Sequence, residues 1–318
     1  MNGTILVTGA TGTVGSAVLD ALRPTGLPVR AATRRVPADR DAATPSPHLP
    51  GHAPSPSVRL DLTDPTSWPA AFADVSTMFL VRPPAVGNVR RDLLPAVAAA
   101  RDAGVRHVVF LSLQGAERNK VAPHHTIEQW LRGSGLDWTF VRPSFFHQNL
   151  STTHAYDVRD LDRIVVPAGD GRTAFVDAVD VAAVAARALA DPAAHRGRAW
   201  TVTGPRALTY GEVARILSDE LGRSIRYERP GVLRYARHAS RSLAMSPGMV
   251  AVTSAIYTTA RLGLAAGLSD DVRTVLGREP IDLTTFAHRE RAAWIPTATT
   301  HVPSTTTTTT TTTTRSTA

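Results

Sequence analysis

Cysteine is absent from the 318 residues, which excludes disulfides, thiolate metal sites and a cysteine nucleophile. Lysine is almost absent too: Lys120 is the single one, so nearly all of the 35 basic residues are arginine. No tyrosine precedes Tyr156, and Tyr-x-x-x-Lys occurs nowhere. No stretch reaches the roughly 18 consecutive apolar residues of a membrane span. The most apolar late segment, Met249 to Leu268, is broken by Thr253, Ser254, Thr258, Thr259 and Arg261 and reads as a packed helix. The amino terminus runs straight into an apolar strand without a basic region, signal core or cleavage site, so a cytoplasmic location without membrane contact is expected. No motif has the spacing of metal ligands, and no metal is expected. The formal charge of +8 would suit nucleic acid. Yet the arginines are scattered and no helix-turn-helix or zinc-finger spacing is present, so nucleic acid is not expected as a partner.

What is present begins at Thr4-Ile5-Leu6-Val7, an apolar run suited to a strand buried on both faces, followed by Gly9, Gly12 and Gly15. Val14, Val18, Leu19 and Leu22 then recur at helical spacing. In a strand-turn-helix of this kind the first glycine turns the chain tightly, the second lets backbone amides approach a diphosphate, and the third lets helix and sheet pack closely. Gly9, Thr11, Gly12, Thr13, Val14 and Gly15 are therefore expected to hold a dinucleotide at the helix N-terminus. The second strand, Val29 to Thr33, ends at Arg34-Arg35 with no carboxylate until Asp39. An acidic side chain there would bind a free ribose 2′-hydroxyl, whereas arginine accommodates a 2′-phosphate, so NADP(H) is favoured over NAD.

Pro37, Pro45, Pro47, Pro50, Pro54 and Pro56 exclude a regular helix between Val36 and Ser57, which reads as a surface loop. Val58 to Asp61 resumes a strand; Asp61 and Leu62 follow it where adenine would sit, and Asp64-Pro65 has the pattern of a helix start. The fourth strand, Val75 to Val81, leaves through Arg82 at the cofactor edge. A helix over Asn88 to Ala103 and a strand over Val105 to Leu111 come next, delivering Ser112 at the strand's carboxyl end. A helix over Pro123 to Arg132 and a strand over Trp138 to Val141 follow. Strands alternating with helices predict an α/β fold, a doubly wound parallel sheet (Rossmann fold). Asp180 is expected to cap the helix Val181 to Ala190, and Thr209 with Glu212 to form a capping box. Arg223 to Glu228 reads as one more strand, and Thr285 to Trp294 as the last helix. One domain over 1–296 is expected, its core at about 3–150 and a small, mostly helical lobe at about 151–296. The tail, 297–318, carries ten consecutive threonines and reads as disordered.

The turn Thr8-Gly9-Ala10-Thr11-Gly12-Thr13-Val14-Gly15 resembles that of the extended and atypical short-chain dehydrogenase/reductases. Gly133-x-Gly135-Leu136-Asp137-Trp138-Thr139-x-Val141-Arg142-Pro143-x-Phe145-Phe146-x-x-Asn149 narrows the likeness to the NmrA-like branch of that family. So do Pro167-x-Gly169-Asp170-Gly171-Arg172-x-Ala174-Phe175-Val176-Asp177-x-x-Asp180-Val181-Ala182 and Thr203-Gly204-Pro205; the resemblance extends over about 3–295. It implies NADP binding and allows two activities. One is an NADPH-dependent oxidoreductase reducing a small quinone-like or aromatic carbonyl compound by hydride transfer. The other is a non-catalytic NADP(H)-binding redox sensor or regulatory protein, with a homo-oligomer or a partner protein open to either. A direct DNA-binding regulator lacks a reading helix.

Candidate lining of the crevice is Ser112, Gln114, His124, His125, Arg142, Ser144, Phe145, Phe146, His147 and Asn149. In the wider dehydrogenase/reductases a serine after the fifth strand assists a tyrosine acid and a lysine four residues later; Ser112 matches the serine, and the other two are missing. His124 or His125 lies near the vacant position and has a pKa suited to proton donation. The same two residues would equally serve only to open the Pro123 helix. Ser112 and Phe145 are added to the cofactor contacts, with Phe146 and His147 expected at the pocket because they follow a strand's carboxyl end.

Overall fold

The computed structural model describes residues 3–35 and 55–296. The threonine tail lies outside the described residues, as does the loop read at 36–57 apart from its last three positions.

The first half supplies β1 (Thr4–Val7), α1 (Thr13–Leu22), β2 (Val29–Thr33), β3 (Ser57–Arg59), α2 (Trp68–Phe72), β4 (Val75–Val81), α3 (Val89–Asp92) and α4 (Leu94–Asp102). Next come β5 (His107–Leu111), α5 (Pro123–Gly133), β6 (Asp137–Pro143), β7 (Phe145–Phe146), α6 (Gln148–Ser151), α7 (Ala155–Leu161), β8 (Arg163–Val165) and β9 (Thr173–Val176). The chain continues through α8 (Ala178–Ala190), α9 (Pro192–His195), β10 (Arg198–Val202), β11 (Ala207–Leu208), α10 (Tyr210–Leu221) and β12 (Arg226–Glu228). It ends in α11 (Val232–Arg241), α12 (Pro247–Arg261), α13 (Asp271–Leu276) and α14 (Leu283–Arg289).

Seven strands form one parallel sheet in the order β10-β6-β5-β4-β1-β2-β3. The order reverses between β1 and β4, and there the carboxyl ends of an open α/β sheet leave a crevice. The expected doubly wound fold is thus present. Parallel strands are covered on both faces, which is why β4 reads as an almost unbroken apolar run with Val75, Met78, Phe79 and Leu80 buried. On one face Val14, Val18 and Leu22 of α1 meet Val181, Ala185 and Leu189 of α8. On the other, Leu94 and Val97 of α4 pack with Ile127 and Leu131 of α5.

Local structure departs from expectation at three points. The helix read over Asn88 to Ala103 is two, α3 and α4, because Pro95 has no amide hydrogen to give the Arg91 carbonyl four residues back, and the chain breaks between them at Leu93 (φ −125°). The cap of α8 is Asp177, whose carboxylate accepts from the Val179 amide at 2.9 Å, not Asp180. Asp180 is instead buried in the first turn, pairing with Arg278 at 2.7 Å and accepting from the Ile281 amide at 2.7 Å. Finally, a core ending near residue 150 leaves out α8 and β10, which return to cover and extend the main sheet. Thr209 and Glu212 do form the capping box.

The later lobe holds two small sheets, β11-β9-β7 and β12-β8, besides its helices. Its interior gathers Tyr210, Tyr235, Tyr257, Phe286 and Trp294. Gly204 fits there because a Cβ would lie 2.3 Å from the Phe175 carbonyl oxygen.

Two buried histidines tie elements together. His107 Nε2 lies 2.9 Å from Thr139 Oγ1, joining β5 to β6, and His154 Nε2 lies 2.7 Å from the Tyr257 hydroxyl. Burial pushes both imidazoles down from the ordinary 6.5 to about 4, with His238 adding to the effect on His154. Between these values the unfolded chain takes up protons that the folded chain refuses. Stability therefore falls as pH drops from about 6.5 towards 4 and this contribution levels off below it. Thermal unfolding across that window should show a falling midpoint, with a shallower fall in His154→Gln; an unchanged pH slope in that variant would remove His154 from the account.

Candidate functional site

β1 ends at Val7, and the chain turns through Thr8 to Gly12 into α1. Thr8 Oγ1 donates to the Phe79 carbonyl at 2.9 Å and accepts from the Val81 amide at 2.9 Å, joining the carboxyl ends of β1 and β4. Gly9 has φ +63°, a conformation that side chains disfavour, and its carbonyl accepts from the Gly12 amide at 2.9 Å. A Cβ on residue 15 would sit 2.1 Å from that same carbonyl oxygen, so only glycine lets α1 begin this close to the turn. At Gly12 a Cβ would meet nothing nearer than the same oxygen at 3.3 Å, and the backbone there is extended. α1 starts with no side-chain cap and no acidic residue in its first turn. The unpaired amides and positive end of the helix are left to an anion.

A cleft of about 640 Å³ opens in front of this turn. Gly9, Thr11, Gly12, Thr13, Val14 and Gly15 form its middle, and Thr33, Arg34, Leu60, Asp61, Leu62 and Thr63 one end. The rest of the wall includes Val81, Pro83, Pro84, Val86, Asp92, Leu111, Phe146, Gln148, Asn149 and Thr152. Hydrogen bonds from the Thr63 amide and hydroxyl hold the Asp61 carboxyl below its usual range, and that oxygen takes them at 2.9 and 2.7 Å. Gln148 is fastened by its amide group to Asp177 Oδ1 at 2.9 Å and to the Ala178 amide at 3.0 Å.

Most of the residues read as a cofactor cradle come together in this wall. Arg35, Arg82, Ser112, Phe145, His124 and His125 do not form part of it. Arg82 turns its guanidinium onto the Val86 carbonyl at 2.7 Å and holds its own loop. Ser112 is buried and gives its hydroxyl proton to Glu128 Oε1 at 2.6 Å. Glu128, fully buried, also receives both arms of Arg142 at 2.9 and 2.6 Å, and Glu117 lies 3.1 Å from the third nitrogen of Arg142. Ser112 and Arg142 thus belong to an ion-pair network centred on the buried Glu128. Glu128 was missed in the sequence; its one signal is a place four residues after His124 and three before Leu131, on the buried stripe of α5.

His124 lies flat against Phe110, ring centres 5.9 Å apart, and burial lowers its pKa to about 4, with Arg82 assisting. It is neutral near pH 7 and has no imidazolium proton to give. His125 Nδ1 is 2.9 Å from the Ala116 carbonyl, a bond that fastens the helix start to the preceding loop. Alternation along the strand divides the aromatics. Phe146 faces the cleft, while Phe145 packs on Phe175 in the lobe at 6.5 Å. His147 turns the same way as Phe145, onto Phe175 and Phe286, and burial lowers its pKa to about 4. Gln148, Thr152 and Asp92 reach the wall without having been singled out, since nothing local distinguishes them from surface polar residues. Among the described residues no group of three or more His, Asp or Glu is arranged to hold a metal ion.

Comparison with known proteins places this arrangement in context. NAD(P)H azoreductase of Xenophilus azovorans is 34% identical over 91% of this chain and 99% of its own. The solved NADPH-dependent quinone oxidoreductase of Escherichia coli, complexed with NADPH, superposes with a TM-score of 0.77 at 24% identity, over 90% of this chain and 99% of its own. NmrA, a negative transcriptional regulator solved with NADP, gives a TM-score of 0.70 at 18% identity, over 92% of this chain and 97% of its own. At these identities the two structures establish a shared fold. The NmrA-like family matches residues 1–235. A family match over most of the length, joined by a 34%-identical relative spanning nearly all of it, makes the chain a member of the NmrA-like family.

Proposed function

We propose that this protein is an NADPH-dependent reductase of small, flat, conjugated acceptors such as quinones. The observation that carries the reading is the single cleft wall that joins the glycine turn, the uncapped start of α1 and Arg34. The turn and α1 would hold the diphosphate, Arg34 the 2′-phosphate of the adenosine ribose, and Asp61 with Leu62 the adenine. That leaves Val81, Leu111, Phe146 and Asn149 for the nicotinamide and the acceptor. The azoreductase and quinone oxidoreductase among its relatives and neighbours agree in kind.

When bound, the reduced nicotinamide supplies a hydride. The chain's own part is to orient the acceptor against apolar side chains and keep water from the transfer. Among the described residues lining the cleft none is a tyrosine, histidine or lysine, and its two carboxyls are held in the ionised form, Asp61 by Thr63 and Asp92 by Arg91, so no described side chain there is poised to give a proton. A positioned acid is worth a factor of about 10² to 10⁴. Simple ketones need that proton in the transition state, whereas a reduced quinone is a stable anion that water protonates afterwards. The absence of an acid thereby becomes a selectivity for acceptors that do not need one.

Three outcomes check this. Gly12→Val should abolish NADPH binding in calorimetry with circular dichroism unchanged, whereas Gly15→Ala, by clashing with Gly9, should destabilise the fold by about 2 kcal/mol or more; tight NADPH binding by Gly12→Val would remove the turn as the site. Arg34→Ala should weaken NADPH by on the order of tenfold to a hundredfold and spare NADH, the worth of a charge-assisted contact; equal loss for both cofactors would place the 2′-phosphate elsewhere. With saturating NADPH, quinone reduction should exceed ketone reduction, and Ser112→Ala should lower the melting temperature while leaving quinone kcat within about threefold of the parent. Should no acceptor oxidise tightly bound NADPH, the regulatory reading, which NmrA exemplifies, takes its place.

A further inference from the structure

From residue 229 to residue 269 the chain has no aspartate or glutamate, yet contains Arg229, Arg234, Arg237, Arg241 and Arg261. The scattering of arginine along the whole sequence hides this local exclusion of negative charge. The structure gathers the segment into α11, α12 and the turn after them, with α11 against α12 through the Tyr235 hydroxyl, 2.9 Å from Thr253 Oγ1. Tyr235 and Ala239 are the buried side of α11, so Leu233, Arg234, Arg237 and Arg241 stand on its solvent side. α12 buries Tyr257 and Ala260 and turns Met249, Val252 and Ile256 outward, so the expectation of a helix packed throughout holds for one side only.

Exposure here is high for large apolar residues: 88% at Leu233, 54% at Val252 and 74% at Leu264. Arg234 and Arg229 are paired with Glu228 at 2.6 Å and Asp170 at 2.8 Å. Among the described residues Arg237, Arg241 and Arg261 have no carboxylate within salt-bridge distance. We infer that this face docks on the surface of an anionic lipid membrane. Apolar side chains exposed on the same two helices as unpaired arginines, in a stretch with no carboxylate of its own and with the nearest ones, Glu228 and Asp170, already paired, are what an interfacial helix needs: the former enter the acyl boundary and the latter meet the headgroups. A second copy of the chain is disfavoured as the occupant, since a two-fold contact presents the same stretch from both sides and that stretch has no carboxylate of its own to meet Arg237 and Arg241. The sequence-based expectation of no membrane contact rested on the lack of a spanning run. Among the described residues no helix is long and apolar enough to cross a membrane, and a surface-lying helix has no need to cross.

The test is sedimentation of the full chain with vesicles of mixed phosphatidylglycerol and phosphatidylcholine, against phosphatidylcholine alone. Binding is expected only with the anionic lipid, weakened by salt. It should fall by on the order of tenfold in Arg237→Glu with Arg241→Glu, and comparably in Val252→Ser with Ile256→Ser. Both pairs lie on the solvent side of their helices, and an unchanged melting temperature would confirm that each variant folds. No binding to anionic vesicles, or binding that survives both pairs, overturns the inference. So does binding that the arginine pair abolishes but the Val252 and Ile256 pair leaves intact, which would mean plain polyanion adsorption. A dimer in gel filtration that the Val252 and Ile256 pair dissolves, with no vesicle binding, would assign the face to a second copy.

Discussion

The close approach of Gly15 to the Gly9 carbonyl sets the position of everything around the cleft. A single added carbon at residue 15 would fall 2.1 Å from that oxygen, so the start of α1 is held against the end of β1 at a distance only glycine allows. From this follow the direction of α1, the side on which Val14, Val18 and Leu22 meet α8, and the aim of its free amides into the cleft. Thr8 completes the constraint by bonding β1 to β4, the two strands between which the sheet reverses its order. Anion binding and fold are therefore served by the same few backbone atoms, and the turn can be weakened for one purpose only at a position such as Gly12 that the other does not need.

The second constraint is electrostatic. Arg142 and Glu128 are brought out of water together, and two charges so placed persist only with their remaining hydrogen bonds satisfied. Ser112 supplies one of those bonds. The position that serves catalysis in the wider dehydrogenase/reductases is thereby drawn into support of β5, β6 and α5. The cleft itself is walled by apolar side chains, threonines, amides and two carboxyls held ionised, Asp61 and Asp92, a lining poor at delivering protons.

In the lobe, charge and hydrophobicity separate differently. Its interior is aromatic, with Tyr210 against Tyr257 and Phe286 against Trp294. Its outer helices expose apolar side chains beside arginine, where a face meant only for water would mix charges of both signs. The same stretch of chain that closes over the core thus presents a surface of a different character to the outside.

Local rules were enough for much of the molecule. The glycine turn, the apolar strands, the Thr209 capping box and the absence of Tyr-x-x-x-Lys were all legible, because each depends on residues within one turn or one strand of each other. Tertiary structure decided the matters that depend on distant partners. Ser112 meets Glu128 across sixteen positions, and Trp200 in β10 pairs with Val141 after a long excursion through the lobe. Which of Phe145 and Phe146 faces the cleft follows from the pairing of β7 with β9, a register no local pattern contains. Asp177 rather than Asp180 caps α8 for a similar reason, since Arg278 and the Ile281 amide claim Asp180 from a hundred residues downstream. The sequence by itself determined which elements form and what the turn can bind. The packing of those elements decided which polar side chains were left to face the cleft, because a buried charge must be met wherever the fold brings its partner.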